Sequence, residues 1–312
     1  MKNTSLNKKI NLSLLIFGVL LSVIYAVCTA TVYESDVQYF AYKALLPKIF
    51  YIGSALLVLL AVVNGFMTKK SLKLPEFHSN IYGKSASLLC AILICAYKAL
   101  DLVNVLASDK YYSDMRYVFT EPTFMQKLTY DRQNILCLAS LVFALICALY
   151  FLLDGIDRGS KPTRILLEYG IVGFYGSTLL MWYFDTSHPI NGDLYIVDQL
   201  GAVCFMLFIL CELREKLDKS VPRFYCLFGV CAPTFLASSG LGYIFGFLFG
   251  KTENSPMLII FGIFELAQAI YVIVRALQKL SAKEEIVPEP VVFEKENEDS
   301  EEIKITNETE AE

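Results

Sequence analysis

The sequence predicts an all-α fold: a polytopic membrane helix bundle with eight transmembrane helices and both termini on the inner side (N-in/C-in). Hydrophobic residues make up 55% of the 312 residues, which is too apolar for a soluble protein of this length. They occur in long runs, and about 18 or more apolar residues in succession are typical of a helix that crosses the bilayer. Basic residues also concentrate in every second connection between the runs.

Eight apolar runs follow one another along the chain. In lipid, backbone polar groups must bond within a helix or a closed barrel, and barrel strands alternate apolar and polar residues. Segments such as LVFALICALYFLL (141–153) do not alternate, so we predict helices. The predicted spans are 10–31, 49–68, 85–106, 133–154, 165–184, 194–213, 224–249 and 256–277.

The first run follows Lys8 and Lys9, as the apolar core of a secretory signal peptide would. It is longer than such a core usually is, and no A-x-A-like cleavage site follows it cleanly. We therefore expect it to be a retained first span.

The basic residues predict the orientation of the bundle. If the N-terminus is cytoplasmic, the inner segments hold 19 Lys and Arg residues and the outer segments hold 7. Cytoplasmic loops carry an excess of Lys and Arg, and each predicted inner segment here is basic. This agreement predicts both cytoplasmic termini and a multi-pass location in the plasma membrane.

The last 30 residues differ from the rest of the chain. Segment 283–312 holds twelve acidic residues and three lysines, without apolar periodicity. That composition is typical of disorder, so we divide the chain into an eight-helix transmembrane domain, 1–282, and a disordered acidic cytoplasmic tail, 283–312.

Polar residues inside the spans are the candidate functional residues. A charge at the centre of a span costs roughly 2.5–3.5 kcal/mol on insertion scales, so such residues mark functional sites by default. Lys98 and Asp101 are three residues apart, which places them on one helix face where they can pair. The candidates for an outward-facing ligand pocket are Lys98, Asp101, Asn104, Asp198, Gln199 and Glu265.

Two readings of these residues stay open. They could converge on a pocket beside a seventh helix broken at Pro233 and the run SSGLG (238–242). Alternatively, Lys98 pairs with Asp101, and the other polar groups join helices by hydrogen bonds. Glu168, Glu212 and neighbouring charges at the inner helix ends predict interfacial salt bridges.

Catalytic motifs are not apparent in the sequence. The chain has two histidines, His78 and His188, and both fall in predicted loops, which excludes HExxH chemistry within the membrane. LLDGIDRG (152–159) resembles the start of the phosphatidyltransferase motif, but the later Gly and paired Asp are missing. We therefore expect no enzyme, no cofactor and no metal site.

Three segments resemble uncharacterised multi-pass membrane proteins of anaerobic Gram-positive bacteria. They are 191–199, CELREKL (211–217) and PRFY (222–225), and the likeness extends over predicted helices 5 to 7, about 60 residues. The resemblance implies a bacterial plasma membrane and carries no assigned activity or site residue.

Two functions are compatible with these features. The bundle could bind a small polar ligand from outside, for sensing or transport. Alternatively, it is a non-catalytic subunit or scaffold that recruits a cytoplasmic protein partner through its loops and the tail 283–312. In both cases we expect the lipid bilayer, and no nucleic acid, as a partner.

Overall fold

A computed structural model describes residues 2–68, 80–107, 132–184, 192–217, 219, 221–252 and 255–281. Over these ranges the chain forms eight helices that are long and apolar enough to cross a membrane, which confirms the predicted all-α polytopic bundle. The tail 283–312 lies outside the described residues. The elements are α1 (Lys2–Val32), β1 (Tyr33–Glu34), β2 (Tyr39–Phe40), α2 (Leu45–Met67), α3 (Ile81–Ala107), α4 (Arg132–Gly155), α5 (Lys161–Phe184), α6 (Asp193–Lys216), α7 (Pro222–Leu248) and α8 (Pro256–Ser281).

A short β-hairpin marks one end of the bundle. Strands β1 and β2 pair antiparallel, with Tyr33 opposite Phe40. The hairpin sits on the start of α6, where the Asp193 carboxylate accepts hydrogen bonds from the Phe40 amide and the Tyr51 hydroxyl. We call this the hairpin end, and the opposite end, where α1 begins, the terminal end. The positive-inside prediction assigns the hairpin end to the exterior.

Helix α7 lies in the centre and packs against α1, α2, α6 and α8. Its crossing with α8 is very close, because glycines face each other there. A Cβ atom on Gly240 would lie 2.5 Å from the Gly262 carbonyl oxygen, and one on Gly262 would lie 2.8 Å from that of Gly240. Small residues at helix crossings let backbones approach in membrane proteins. This approach brings the polar residues of α7 and α8 within reach of one another.

The predicted break in the seventh helix is wrong, because α7 runs through Pro233 as one helix. Proline removes one backbone donor, but neighbouring hydroxyl groups can bond to the helix carbonyls nearby. Thr234 donates to the Val230 carbonyl at 2.9 Å, and Ser22 of α1 donates to the Thr234 carbonyl at 3.0 Å. One hydroxyl of α7 itself and one of α1 therefore bond to helix carbonyls on the two sides of the proline.

Candidate functional site

The centre of the bundle contains two buried acids that meet at one serine. Asp198 of α6 and Glu265 of α8 both contact the hydroxyl of Ser239 on α7, through Oδ1 and Oε2 respectively. Asp198 and Ser239 are fully buried, and Glu265 is 1% exposed. We call Asp198 and Glu265 the acid pair. Both were predicted as site residues, whereas Ser239 and its bridging position were not.

The local sequence explains how these groups meet. Ser239 and Tyr243 are four residues apart on α7 and therefore share one face. The Tyr243 hydroxyl donates to Oδ2 of Asp198. On α8, Glu265 lies three residues after Gly262, so it projects beside the close α7–α8 crossing. Three different helices therefore hold the acid pair in place.

No protein cation balances the acid pair among the described residues. Asp101, Asp154, Glu168 and Glu212 are also buried acids, and each forms an ion pair with Lys or Arg. Ion pairs involving Asp198 or Glu265 are absent from the described part of the chain, where both acids bond only to hydroxyl groups. Burying a carboxylate without a paired charge is costly, so this exception requires an explanation.

Tyrosines and one amide surround the acid pair. Tyr97 of α3 and Tyr25 of α1 lie close enough to interact electrostatically with Asp198, and Tyr175 of α5 does so with Glu265. The Tyr175 hydroxyl donates to Oε1 of Gln268, which is fully buried one helical turn after Glu265. Within the described residues, Nε2 of Gln268 has no hydrogen-bond partner. Buried amide donors usually have an acceptor, so Nε2 of Gln268 is available to a water molecule or to another bound group.

Lys98 and Asp101 form a separate ion pair on α3. Lys98 Nζ lies 2.8 Å from Asp101 Oδ2 and 4.9 Å from the centre of the Tyr97 ring. The Cys137 thiol of α4 donates to the same Asp101 oxygen at 3.6 Å. In the described part of the structure, neither residue forms a hydrogen bond or an ion pair with the acid pair. Tyr97 interacts electrostatically with Asp101 and with both acids of the acid pair, so it is common to the surroundings of the two polar sites.

The remaining two predicted site residues contribute less. Gln199 is half-buried and follows Asp198 directly, so it projects from a different face of α6. Asn104 belongs to α3, and its side chain lies outside the described residues. The structure therefore brings together two of the six candidates at the acid pair, and two others in the Lys98–Asp101 pair.

A second buried polar cluster lies at the terminal end and is centred on Arg275 of α8. Arg275 is 2% exposed, and its guanidinium lies 2.6 Å from Asp154 Oδ1 and 3.1 Å from Glu212 Oε2. Ser87 donates to Oδ2 of Asp154 at 2.7 Å, which adds α3 to the cluster. The terminal ion network is our name for these residues together with Glu168, Glu215, Lys216 and Lys279.

The network continues across α5 and α6. Lys279 pairs with Glu215 and lies 3.8 Å from Glu212, and Lys216 pairs with Glu168. The predicted salt bridges of Glu168 and Glu212 are present, but they are buried in the bundle rather than exposed at its surface.

The predictions from the sequence did not include Arg275 or Lys279 among the candidate site residues. Their signal was a polar stripe on α8 at helical spacing, which runs from the acid pair to the terminal end. Its members are all buried: Glu265, Gln268, Tyr271, Arg275 and Lys279.

Comparisons with protein-family models, with curated proteins and with solved structures found no match to this chain.

Proposed function

We propose that this integral membrane protein binds a small polar solute with a positively charged nitrogen at the acid pair, for transport or sensing. The observation that carries the proposal is the missing cation. Each of the other buried acids has a Lys or Arg partner in the described structure, and Asp198 and Glu265 have hydroxyl partners alone. A cationic ligand would supply the charge that the protein does not.

The surroundings suit an ammonium group that also carries an oxygen. Tyrosine rings attract cations over their faces, and Tyr25, Tyr97 and Tyr243 lie near Asp198. The free amide hydrogens of Gln268, one turn from Glu265, could be satisfied by an acceptor oxygen of the same solute. Amino alcohols and amino acids have both groups, and simple alkylamines have only the first. We therefore propose solutes of the amino alcohol or amino acid class.

The direction of access follows from the sequence. Asp198 lies five residues after Asp193, at the hairpin end of α6. The positive-inside prediction places this end outside, so we propose entry from the exterior. We also propose a bacterial plasma membrane as the location, on the resemblance carried by segments 191–199, 211–217 and 222–225.

A thermal-shift screen on the full chain in detergent tests the proposal. The panel contains ethanolamine, amino acids, alkylamines and carboxylates, and the proteins are wild type, Asp198→Asn/Glu265→Gln, and Lys98→Met/Asp101→Asn. We expect amine-bearing solutes with an oxygen to raise the melting temperature of wild type and not of the acid-pair variant. The Lys98–Asp101 variant is the matched control, because it neutralises another buried pair of the same bundle.

Two outcomes would contradict the proposal. If no member of the panel stabilises wild type, the acid pair does not bind this class of solute. If a solute stabilises wild type and the acid-pair variant equally, it binds elsewhere. The first result would favour the alternative function, a scaffold that recruits a cytoplasmic protein.

A further inference from the structure

The hydrogen atoms available to the acid pair are too few if both acids are ionised. Ser239 has one hydroxyl hydrogen, yet its oxygen contacts both Asp198 Oδ1 and Glu265 Oε2. Two ionised carboxylates are acceptors only, so one of these two contacts would then have no hydrogen. One added proton on a carboxyl group removes the conflict, because that group can donate to Ser239 while Ser239 donates to the other acid.

The contacts also indicate which acid holds the proton. Asp198 accepts a second hydrogen bond from Tyr243, and hydrogen bonds to an ionised carboxylate stabilise its charge. Glu265 has a single bond in the described structure, the one with Ser239. The order that satisfies all these groups runs from the Glu265 O–H to Ser239, and from the Ser239 O–H to Asp198.

Among the described residues, the neighbouring titratable groups supply no cation for a second ionised acid. The titratable groups that interact with the acid pair are tyrosines, which are neutral at ordinary pH: Tyr25 on α1, Tyr97 on α3, Tyr175 on α5 and Tyr243 on α7. Lys98 and Asp101, which also interact with Tyr97, neutralise each other.

We infer that the acid pair holds one proton, on Glu265, and that a monovalent cation that enters the site displaces it. The exchange is balanced in charge. With the proton bound, the acid pair carries one negative charge; with the proton lost to water and one cation bound, the site again carries one negative charge. An exchange that keeps the buried charge constant avoids most of the desolvation cost of adding a charge. The displacement half of this inference rests on the proposed function, and the proton itself does not.

Infrared spectroscopy on the full chain tests the proton without any ligand. A protonated carboxylic acid has a C=O stretching band that a carboxylate lacks. We expect wild type to show such a band and to lose it as the pH rises. Glu265→Gln should remove the band, and Ser239→Ala should shift its frequency, because the protonated acid loses its acceptor. Asp101→Asn is the matched control and should leave the band unchanged.

Two results would overturn the proton assignment: the absence of the band at every pH at which the protein is folded, or its persistence in Glu265→Gln. Tyr243→Phe separates the two acids, since it removes a donor from Asp198 alone. If Asp198 is the ionised acid, this variant should move part of the proton from Glu265 to Asp198, because the Asp198 carboxylate loses a donor, and the band should change in frequency. An unchanged band would contradict the assignment.

The displacement is tested with ethanolamine hydrochloride as the probe, because it carries both the ammonium group and the oxygen of the proposed solute class. We expect the Glu265 band to fall in a saturable manner as ethanolamine is added, and the apparent affinity to rise about tenfold per pH unit while one proton is exchanged. A band that is present but insensitive to ethanolamine, when ethanolamine does raise the melting temperature, would overturn the displacement. This result differs from failure of the proposed function alone, in which the panel gives no thermal shift while the pH-dependent band is still observed.

Discussion

Replacing Arg275 by methionine tests the terminal ion network. Among the described residues, Arg275 alone contacts both Asp154 and Glu212, at 2.6 Å and 3.1 Å, and both acids have side chains no more than 4% exposed. Removing one partner from a buried ion pair destabilises a protein by about 3–5 kcal/mol, since an uncompensated charge stays buried. Asp154 keeps Arg164 and Glu212 keeps Lys279, each at 3.8 Å. We therefore expect Arg275→Met to lower the free energy of unfolding by the lower limit of this range, about 3 kcal/mol. This corresponds to roughly a 100-fold change in the unfolding equilibrium constant.

The free energy of unfolding can be measured by titrating a denaturing detergent into the protein in mild-detergent micelles. Arg275→Lys should lower the free energy of unfolding less than Arg275→Met does, because lysine keeps the positive charge. It should still be less stable than wild type, because lysine lacks the planar guanidinium that bridges two acids. Arg214→Met is the matched control: Arg214 is exposed at the end of α6, and exposed substitutions usually stay within about 0.5 kcal/mol. Combining Arg275→Met with Asp154→Asn and Glu212→Gln should recover most of the loss, since no buried charge then lacks a partner.

The reasoning would be refuted if the free energy of unfolding of Arg275→Met lay within about 0.5 kcal/mol of the wild-type value, as is usual for exposed substitutions. It would equally be refuted if the triple variant were less stable than Arg275→Met. In that case the loss would come from packing of the arginine side chain and not from its charge.

Three further predictions concern the other parts of the bundle. Gly240→Ala should lower the melting temperature strongly, because its Cβ would lie 2.5 Å from a backbone oxygen of α8, whereas Gly176→Ala should be tolerated, since nothing lies within 4 Å of its Cβ. Tyr243→Phe should cost about 1–3 kcal/mol of stability, measured by the same detergent titration, because a buried hydrogen bond to Asp198 is lost; an unchanged stability would contradict the contact. Asp193→Ala should increase protease cleavage in the β-hairpin without unfolding the bundle, because Asp193 holds Phe40 and Tyr51 there; equal cleavage in wild type and variant would contradict this docking.

The fold was predictable because the bilayer imposes long apolar helices, and these are visible in a single sequence. The structure has α2 at Leu45–Met67 and α6 at Asp193–Lys216, close to the predicted spans 49–68 and 194–213. The helix ends were less certain, because charged residues can continue a helix beyond its apolar part. Lys279 shows this, since it is buried in α8 two residues after the predicted span ends at 277.

The candidate site was predictable in its members but not in its pairing. Buried acids within spans are costly, so Asp198 and Glu265 could be selected by type alone. Their meeting at Ser239 depends on the close approach of α7 and α8 at Gly240 and Gly262, and helix–helix crossings are not encoded by hydropathy. Pro233 misled the prediction because a hydroxyl group of α1 bonds to a helix carbonyl beside the proline. This contact cannot be read from the sequence of α7 alone.

The measurement that tests the central claim most directly is the stability of Asp198→Asn/Glu265→Gln beside its ligand response. If the acid pair is a binding site, its two ionisable acids lower the stability of the protein without ligand. Neutral amides should then leave the melting temperature equal to that of wild type or raise it, while stabilisation by amine-bearing solutes is lost. If the double variant instead melts well below wild type, and no solute stabilises either protein, the acid pair joins α6, α7 and α8, and the claim of a solute site is wrong.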